Sequence, residues 1–424
     1  MAAIPHTFTE RNTEDTNSTT TFTAVTSIAQ ASGNFTVGKK YLIIASAKYG
    51  FSATGSTYAD VRVVHGSTAF EGSTVQSLLA TTTGKEPYLF MTVWTAVSSE
   101  GIDIQFRRNP SSTATASINF ASLLTIQLDD YLTDGTDYKF AERTNDDTLS
   151  GAYTAGASIT WTPANASHDW LIIGWGNFNY AASTATVTTR LNQDAGAAVL
   201  PQLVQQPTNN GNIMNYATAK VINLPASSVT FKEEAISSGA STVRLYSAIL
   251  ALDLDRFAAH GAIYTEADAN YASTSGYGDA IQTTSVTPTT ASDTWIFGAY
   301  GFDKNATARV ASARVQLDNS DQPPGQTTAA YTLLNTVSNA TDEQTWTLST
   351  MVSSLSAASH TIDLDGHVDS TTGTPSYQQR TLIAVTMELA PTSAITPTVG
   401  SGALTGQAGR MNHGLITQTM VRLG

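Results

Sequence analysis

A run of consecutive apolar residues occurs three times along the chain. The runs begin at Tyr41, Trp170 and Trp295, so their starts are 129 and 125 residues apart. Unbroken apolar runs are typical of strands that are buried on both faces. The spacing predicts one structural module present in three copies, with such a strand at the centre of each copy.

The segments around each run alternate between apolar and polar residues, which is the pattern of half-buried strands. The clearest example is 101–107, which we expect to pair with a strand at 88–97. Each copy holds seven or eight short strands separated by Gly, Asn, Asp and Ser turns. The pattern predicts an all-β fold of three tandem β-sandwich domains that are jelly-roll-like.

The predicted boundaries follow the repeat. The three sandwiches occupy 1–135, which includes a polar lead-in, 136–258 and 259–391. The segments between them are too long and too structured to be flexible tethers, so we expect the domains to touch. From Pro391 onward the chain holds six glycines and two prolines. This composition predicts an extended C-terminal arm at 392–424 that becomes ordered by docking on a neighbour.

An arginine follows each apolar run at nearly constant distance, 21, 20 and 19 residues after the opening aromatic, at Arg62, Arg190 and Arg314. A repeated guanidinium could bind a repeated partner feature. The commoner role is an outward arginine paired with an acidic group or a carbonyl on the neighbouring strand, which we favour. The opening aromatics could stack on sugars, but their place at the head of apolar runs favours core positions.

The composition limits the classes of partner. Charged residues make up 13% of the chain, against about 25% in typical globular proteins. The net charge of -13 and the lack of a basic stripe argue against nucleic-acid binding. There is no cysteine to form a disulfide or a metal ligand, no apolar run long enough for a membrane span and no export signal pattern. We therefore expect a protein assembled in a host cytoplasm.

The sequence contains no recognisable catalytic or cofactor motif, so no cofactor, metal site or enzyme activity is predicted. Asp363, Asp365 and Asp369 could supply oxygen ligands for calcium. The favoured interpretation is a strand with Ile362 and Leu364 inward and the aspartates in water. The acidic loop at 129–137 is likewise interpreted as solvated.

Candidate partner-binding residues fall in two groups. Four aromatics outside the run heads are predicted to make exposed loop contacts: Tyr49, Phe178, Tyr180 and Phe302. In the arm, the predicted docking residues are Arg410, Met411, Leu415, Ile416, Met420, Val421 and Leu423.

Tandem β-sandwiches without cysteine, a surface rich in Thr, Ser and Ala with few charges, and a glycine-rich terminal arm together resemble the structural proteins of tailed-bacteriophage virions. The resemblance covers the whole chain in style and implies a capsid decoration or cement protein, or a head or tail component. Its expected partners are other virion proteins in the capsid or tail and further copies of itself, and its expected location is the virion.

Two other classes stay open at this point. An adhesin or receptor-binding protein would share the fold and use its loop aromatics on a host-surface glycan. A polysaccharide hydrolase would need two carboxylates whose environments separate their pKa values, and no acidic pair recurs in such a context.

Overall fold

The chain is built almost entirely of antiparallel strands. The computed structural model describes residues 2–51, 57–79, 85–97, 100–179, 185–194, 203–205, 213–239, 242–265, 280–303, 309–322, 332–335, 343–368 and 376–391. Within these ranges there are 28 strands and two short 3-10 helices, and no α-helix. The all-β prediction is confirmed. Met1–Ala390 forms one compact unit, and Pro391–Gly424 is a separate one.

The strands fall into three successive groups, which we call modules 1, 2 and 3. Module 1 contains β1 (His6–Arg11), β2 (Asp15–Asn17), β3 (Thr23–Ala24), β4 (Lys40–Phe51), β5 (Thr57–His65), β6 (Thr68–Ala69), β7 (Val75–Leu79), β8 (Lys85–Thr95), β9 (Ile102–Arg108) and β10 (Ala116–Gln127), with a 3-10 helix at Ser32–Asn34.

Module 2 contains β11 (Tyr138–Arg143), β12 (Asp147–Thr148), β13 (Thr154–Trp161), β14 (His168–Asn179), β15 (Val187–Gln193), β16 (Leu203–Gln205), β17 (Ile213–Leu224), β18 (Val229–Ser237) and β19 (Val243–Asp253). A 3-10 helix at Leu254–Arg256 leads into module 3. Module 3 contains β20 (His260–Thr265), β21 (Ala280–Val286), β22 (Ser292–Asp303), β23 (Arg309–Leu317), β24 (Ser320–Gln322), β25 (Thr332–Asn335), β26 (Glu343–Leu355), β27 (His360–Val368) and β28 (Ser376–Thr386).

The same strand order occurs in every module. One sheet, which we call the inner sheet, runs β1-β10-β4-β8 in module 1, β11-β19-β14-β17 in module 2 and β20-β28-β22-β26 in module 3. The other, the outer sheet, is built on β3-β9-β5, β13-β18-β15 and β21-β27-β23. Two facing four-stranded sheets in which the first strand pairs with the last are the arrangement of a jelly roll. The jelly-roll prediction is confirmed, and the strand order is now defined.

Segments 88–97 and 101–107 do not form the strand pair that the sequence predicted. The first corresponds to β8, which pairs with β4 in the inner sheet. The second corresponds to β9, which pairs with β5 in the outer sheet. The connection between them crosses from one sheet to the other, so closeness in sequence was a misleading guide to pairing.

The inner sheets are buried on both faces. Alternate residues of β4, such as Ile43 and Ala45, point into the sandwich of module 1, while Leu42 and Ile44 point the other way. The second set joins a shared core to which all three modules contribute, including Leu89, Met91, Leu124, Leu171, Ile173, Trp175, Leu250, Leu252, Trp295, Phe297, Ile383 and Val385. The unbroken apolar runs are explained by this double burial, as predicted from the sequence.

Equivalent strands meet around the shared core. The last strands of the three inner sheets are β8, β17 and β26, and each of these strands contacts the other two. β8 also pairs in parallel with β25 of module 3 at one position, Lys85 with Leu333. Hydrogen bonds also join each pair of modules: Ser122 Oγ donates to Ser349 O at 2.6 Å, Thr381 Oγ1 to Ala219 O at 2.7 Å, and Leu89 N to Asn215 Oδ1 at 2.9 Å. The modules therefore touch, as expected, and form a ring like that of a trimer within one chain.

The N-terminal segment closes this ring between modules 3 and 1. Ala3 pairs with Glu388, the Leu389 amide donates to Ala2 O at 2.9 Å, and the Ile4 amide donates to Met387 O at 3.0 Å. Peptide linkers already connect module 1 to 2 and module 2 to 3. Backbone hydrogen bonds therefore join module 3 to module 1, whereas peptide linkers join the other two pairs of modules.

A buried glutamate at the junction of modules 1 and 3 should make stability depend on pH. Thr350 Oγ1 donates to Glu10 Oε2 at 2.7 Å, and burial raises the pKa of Glu10 to about 7. When the pKa of a carboxyl group is higher in the folded than in the unfolded protein, its contribution to stability is fully present below the unfolded-state pKa. That contribution is lost as the pH rises through the folded-state pKa.

We expect Glu10→Gln to unfold at a higher temperature than the parent at pH 8. The amide cannot ionise, so it avoids the cost of a buried carboxylate. Below about pH 4.5 the carboxyl is protonated in both states, and the advantage should disappear. Thermal unfolding of both proteins from pH 4 to pH 8 measures this, and a constant difference across the range would contradict it.

Candidate functional site

The three repeated arginines occupy equivalent positions and pair across the outer sheet. Arg62 lies opposite Gln105, and its Nη2 donates to Gln105 Oε1 at 2.8 Å. Arg190 lies opposite Glu234, and its Nε donates to Glu234 Oε2 at 2.8 Å. The prediction of cross-strand pairing is confirmed for both.

The third arginine, Arg314, lies opposite Asp365, and its Nε donates to Asp365 Oδ2 at 3.0 Å. The guanidinium of Arg62 also lies 3.9 Å from the ring centre of Phe22, and that of Arg190 lies 3.6 Å from the ring centre of Tyr153. These contacts hold the side chains against their own module, so they are structural residues of the repeat.

The opening aromatics are core residues, as favoured from the sequence, but they are not all equivalent. Tyr41 and Trp170 lie in the sandwich cores of modules 1 and 2. Trp295 lies in the shared core, where Leu42 and Leu171 are its counterparts. A shift of one residue turns a strand's side chains to the opposite face of the sheet, so the predicted alignment of the third copy was wrong by one position.

Two of the predicted loop aromatics are buried instead. Phe178 lies in β14 with 0% exposure, and its ring stacks on Tyr216 at 4.6 Å between ring centres. Tyr49 lies in β4 and is 1% exposed. The sequence predicts loops at both positions because the strands continue further than their apolar runs. Neither side chain can contact a glycan in this fold.

Phe302 is the one remaining predicted contact residue within the described ranges. Phe302 lies in β22, paired with Gln344 and Tyr377, so it belongs to a strand and not to a loop. Tyr180 lies outside the described residues. The seven arm positions also lie outside them: Arg410, Met411, Leu415, Ile416, Met420, Val421 and Leu423. Their role in docking stays a prediction.

The acidic segments have specific partners. Ile362 and Leu364 point inward as predicted, but Asp365 is not in water: it is 4% exposed beneath Arg314. Asp363 accepts from Thr283 Oγ1 at 2.6 Å, and Asp369 lies outside the described residues. A carboxylate that is already neutralised by a guanidinium is a poor calcium ligand, which weakens the calcium alternative.

The loop at 129–137 is likewise more than a solvated stretch. Asp137 is 4% exposed, accepts from the Thr133 amide at 2.8 Å and forms an ion pair with Arg256 at 2.8 Å. Asp129 accepts from the Lys40 amide at 2.9 Å. These aspartates organise the connection between modules 1 and 2, so interpreting the whole loop as solvated was wrong.

A buried ion cluster lies inside module 2. Arg244 is 1% exposed and donates from Nη1 to Glu233 Oε2 at 2.9 Å and from Nη2 to Asp147 Oδ2 at 2.8 Å. Burial alone would lower the pKa of Arg244, but these carboxylates raise it above its usual value. Gly156 makes room for the cluster, since a Cβ there would lie 2.2 Å from Glu233 Oε2.

An open cleft of about 500 Å³ separates the ends of modules 1 and 2. Gly72 lies on its module 1 side with φ +70, and a Cβ there would lie 2.1 Å from the Tyr246 ring. Glu71 is the one titratable side chain among the lining residues: Ala69, Phe70, Glu71, Gly72, Thr74, Asn177, Ile213 and Leu245. This lining provides no acid–base pair of the kind that glycoside hydrolysis uses.

Metal-ligating side chains meet at the junction of modules 2 and 3. Two sets of three have their ligand atoms within 4.8 Å of one another: His168 with Asp253 and Asp255, and Asp169 with Asp255 and His260. Asp255 belongs to both sets. Burial raises the pKa of Asp253, and the hydrogen bond from His168 opposes this in part. This is the one mixed imidazole and carboxylate cluster that the described residues offer.

The sequence did not reveal this cluster. His168 and His260 are 92 residues apart, so no local motif relates them. The sequence does show two short segments of possible metal ligands at the ends of predicted strands, His168-Asp169 and Asp253-Leu254-Asp255. Only the junction between two modules brings these pairs together, so one module considered alone would not show it.

No described helix is long and apolar enough to cross a membrane. No protein-family model matches the sequence, and no curated protein matches it significantly. Solved structures that match this chain weakly include PNGF-II, at 10% identity over 82% of this chain and 98% of that chain with a TM-score of 0.26.

A second is the triple jelly roll of an archaeal virus turret, at 10% identity over 83% of this chain and 81% of that chain with a TM-score of 0.17. A third is the tandem CBM22 domain pair of Paenibacillus barcinonensis Xyn10C, at 9% identity over 58% and 93% with a TM-score of 0.18. At TM-scores this low these likenesses carry no argument about this chain.

Proposed function

We propose that the protein is a non-enzymatic structural component of a virus particle, acting as a capsid decoration or cement protein or as another head- or tail-associated subunit. The observation that supports this most is the shared core. Three jelly rolls bury one sheet each against the others, which turns a single chain into a trimer-like block. Such a block suits a site with threefold or pseudo-threefold surroundings.

The described surface supports assembly through polar contacts and sheet edges. Among the described residues, only three large apolar side chains are exposed: Val37, Val97 and Ile263. Protein interfaces that form between stable, separately folded subunits are about as polar as the rest of a protein surface. We infer that the block docks through module edges and that the arm at 392–424 adds apolar area on a neighbour.

A binding role on host-surface glycan has less support than the sequence suggested. Two of its four candidate aromatics, Tyr49 and Phe178, are buried in strands. The alternative therefore depends on residues outside the described ranges and on Phe302, and we treat it as an outcome of the test below.

The test compares the full chain with a version ending at Pro391. We expect both to have the same unfolding temperature, because the compact unit ends at Ala390. We expect only the full chain to form a homo-oligomer of defined size and to bind virus particles that carry the protein. Light scattering coupled to size-exclusion chromatography measures the size of the oligomer, and electron microscopy of particles mixed with either version measures binding to the particles.

Three results would overturn the proposal in whole or part. Truncated protein that decorates particles as well as the full chain would exclude docking by the arm. Absence of either version from every particle preparation would exclude a virion component. Selective binding on a glycan array, lost on replacing Phe302 or Tyr180 and kept on replacing the paired Arg190, would favour the adhesin alternative.

A further inference from the structure

The strongest unassigned feature is the His/Asp cluster between modules 2 and 3, which we call the junction cluster: His168, Asp169, Asp253, Asp255 and His260. Its members come from the start of β14, the end of β19, the 3-10 helix that follows β19 and the start of β20. Two modules and the linker between them therefore contribute side chains to one place. A role for this cluster does not depend on the proposed virion function.

The carboxylates of the junction cluster lack the arginine partners that several buried acids elsewhere in this protein have. Elsewhere Asp60 pairs with Arg107, Glu233 with Arg244, Asp365 with Arg314 and Asp137 with Arg256. Within the described ranges, no lysine or arginine forms an ion pair with the three junction aspartates, and only the two histidines do. Three converging carboxylates without a lysine or arginine partner concentrate negative charge that a cation would offset.

The distances at the outer set suit a shared ion. His260 Nε2 lies 3.6 Å from Asp169 Oδ2, which is too long for a hydrogen bond. Two ligand atoms on one tetrahedral ion with bonds of about 2.0–2.1 Å lie about 3.4 Å apart. Asn223 Nδ2 donates to Asp169 Oδ1 at 3.2 Å, which orients this carboxylate with Oδ2 toward His260.

The inner pair positions the third ligand. His168 Nδ1 lies 2.8 Å from Asp253 Oδ2, and the Asp255 amide donates to Asp253 Oδ1 at 3.0 Å. The Asp169 amide in turn donates to Asp255 Oδ2 at 2.6 Å. His168 thus holds Asp253, and the Asp253 carboxylate fixes the backbone of Asp255, so both act on the third ligand from outside the ligand shell. His168 and Asp253 are therefore positioning residues.

We propose that Asp169, Asp255 and His260 bind one divalent transition-metal ion, with Zn²⁺ as the best match, and that this ion joins module 2 to module 3. Imidazole nitrogen favours zinc and related metals over calcium and magnesium, which prefer oxygen ligands alone. Three protein ligands leave a fourth position for water. All three are partly exposed, so an ion can enter without unfolding.

The test uses the full chain without a histidine tag, after metals have been removed with EDTA. ZnCl₂ is titrated into this protein, and calorimetry measures the heat of binding while thermal unfolding measures the unfolding temperature. We expect one ion per chain and a saturable rise in unfolding temperature, with no comparable rise from equal concentrations of CaCl₂ or MgCl₂. His260→Gln should lose the stoichiometric site. His168→Gln should keep one site with an affinity about 10–100-fold weaker.

His360→Gln is the matched control, because His360 also lies against an aspartate, Asp318, at 2.6 Å but has no third ligand. It should bind zinc as the parent does. The proposal is overturned if the parent binds no zinc at one ion per chain, or if His260→Gln binds it equally well. If His260→Gln does not fold, Asp169→Asn supplies the same comparison by calorimetry.

Discussion

Replacing Trp175 by alanine is expected to lower the free energy of unfolding by about 3–5 kcal/mol, the usual cost of deleting a large buried aromatic. Trp175 is 1% exposed in the shared core, and its ring stacks on Phe140 at 6.0 Å between ring centres. The cavity would open where three modules meet, so the effect should reach beyond module 2. Chemical denaturation of the full chain measures the loss.

A second measurement separates a loosened ring from a weakened single module. In the Trp175 variant, limited proteolysis should cut faster at the linkers 128–137 and 254–259 while each module stays protected. Val97→Ala is the control, because Val97 is 46% exposed and its replacement should change stability little. Equal stability of the tryptophan variant and this control would show that the shared core does not hold the modules together.

Replacing Arg244 by methionine is expected to cost about 3–5 kcal/mol, because it leaves the buried carboxylate of Glu233 without its cation. Glu233 is 1% exposed, whereas Asp147, which shares the same guanidinium, keeps an ion pair with Arg143. Adding Glu233→Gln should recover part of the loss, since it removes the uncompensated charge. Thermal and denaturant unfolding of the single and double variants measures both steps.

The matched control is Arg190→Met in the outer sheet of the same module. Arg190 also pairs with a glutamate, Glu234, at 2.7 Å, but its side chain is 22% exposed. Partly exposed ion pairs contribute about 1 kcal/mol or less. If the two arginine variants lost stability equally, burial would not be what makes the Arg244 cluster important.

Much of the fold was predictable because a strand that is buried on both faces has an unbroken run of apolar residues in its sequence. The unbroken runs from Tyr41 and Trp170 identified the central strand of each module, and the constant spacing to Arg62 and Arg190 identified the strand that carries the cross-strand pair. These features depend on local pattern and repetition, which a sequence shows directly.

The rest depends on which face of a strand meets which core. Trp295 and Trp170 look alike in sequence, but both faces of an inner strand are apolar, so the pattern cannot show a shift of one residue. Phe178 resembled a loop residue for a different reason, because β14 continues beyond its apolar run. The junction cluster was hidden because His168 and His260 lie in different modules and only tertiary contact brings them together.

The shared core also bears on how the chain is made. The inner face of module 1, with Leu42, Ile44 and Leu124, is complete once β10 has left the ribosome, but its covering strands come from modules 2 and 3. At roughly 5–20 residues per second, the 260 residues from 128 to 387 take about 13–52 s to synthesise. During that interval an apolar sheet face is open to other nascent chains. Yield should therefore rise with slower initiation, lower temperature or a chaperone that holds this face, and the finished ring should no longer need one.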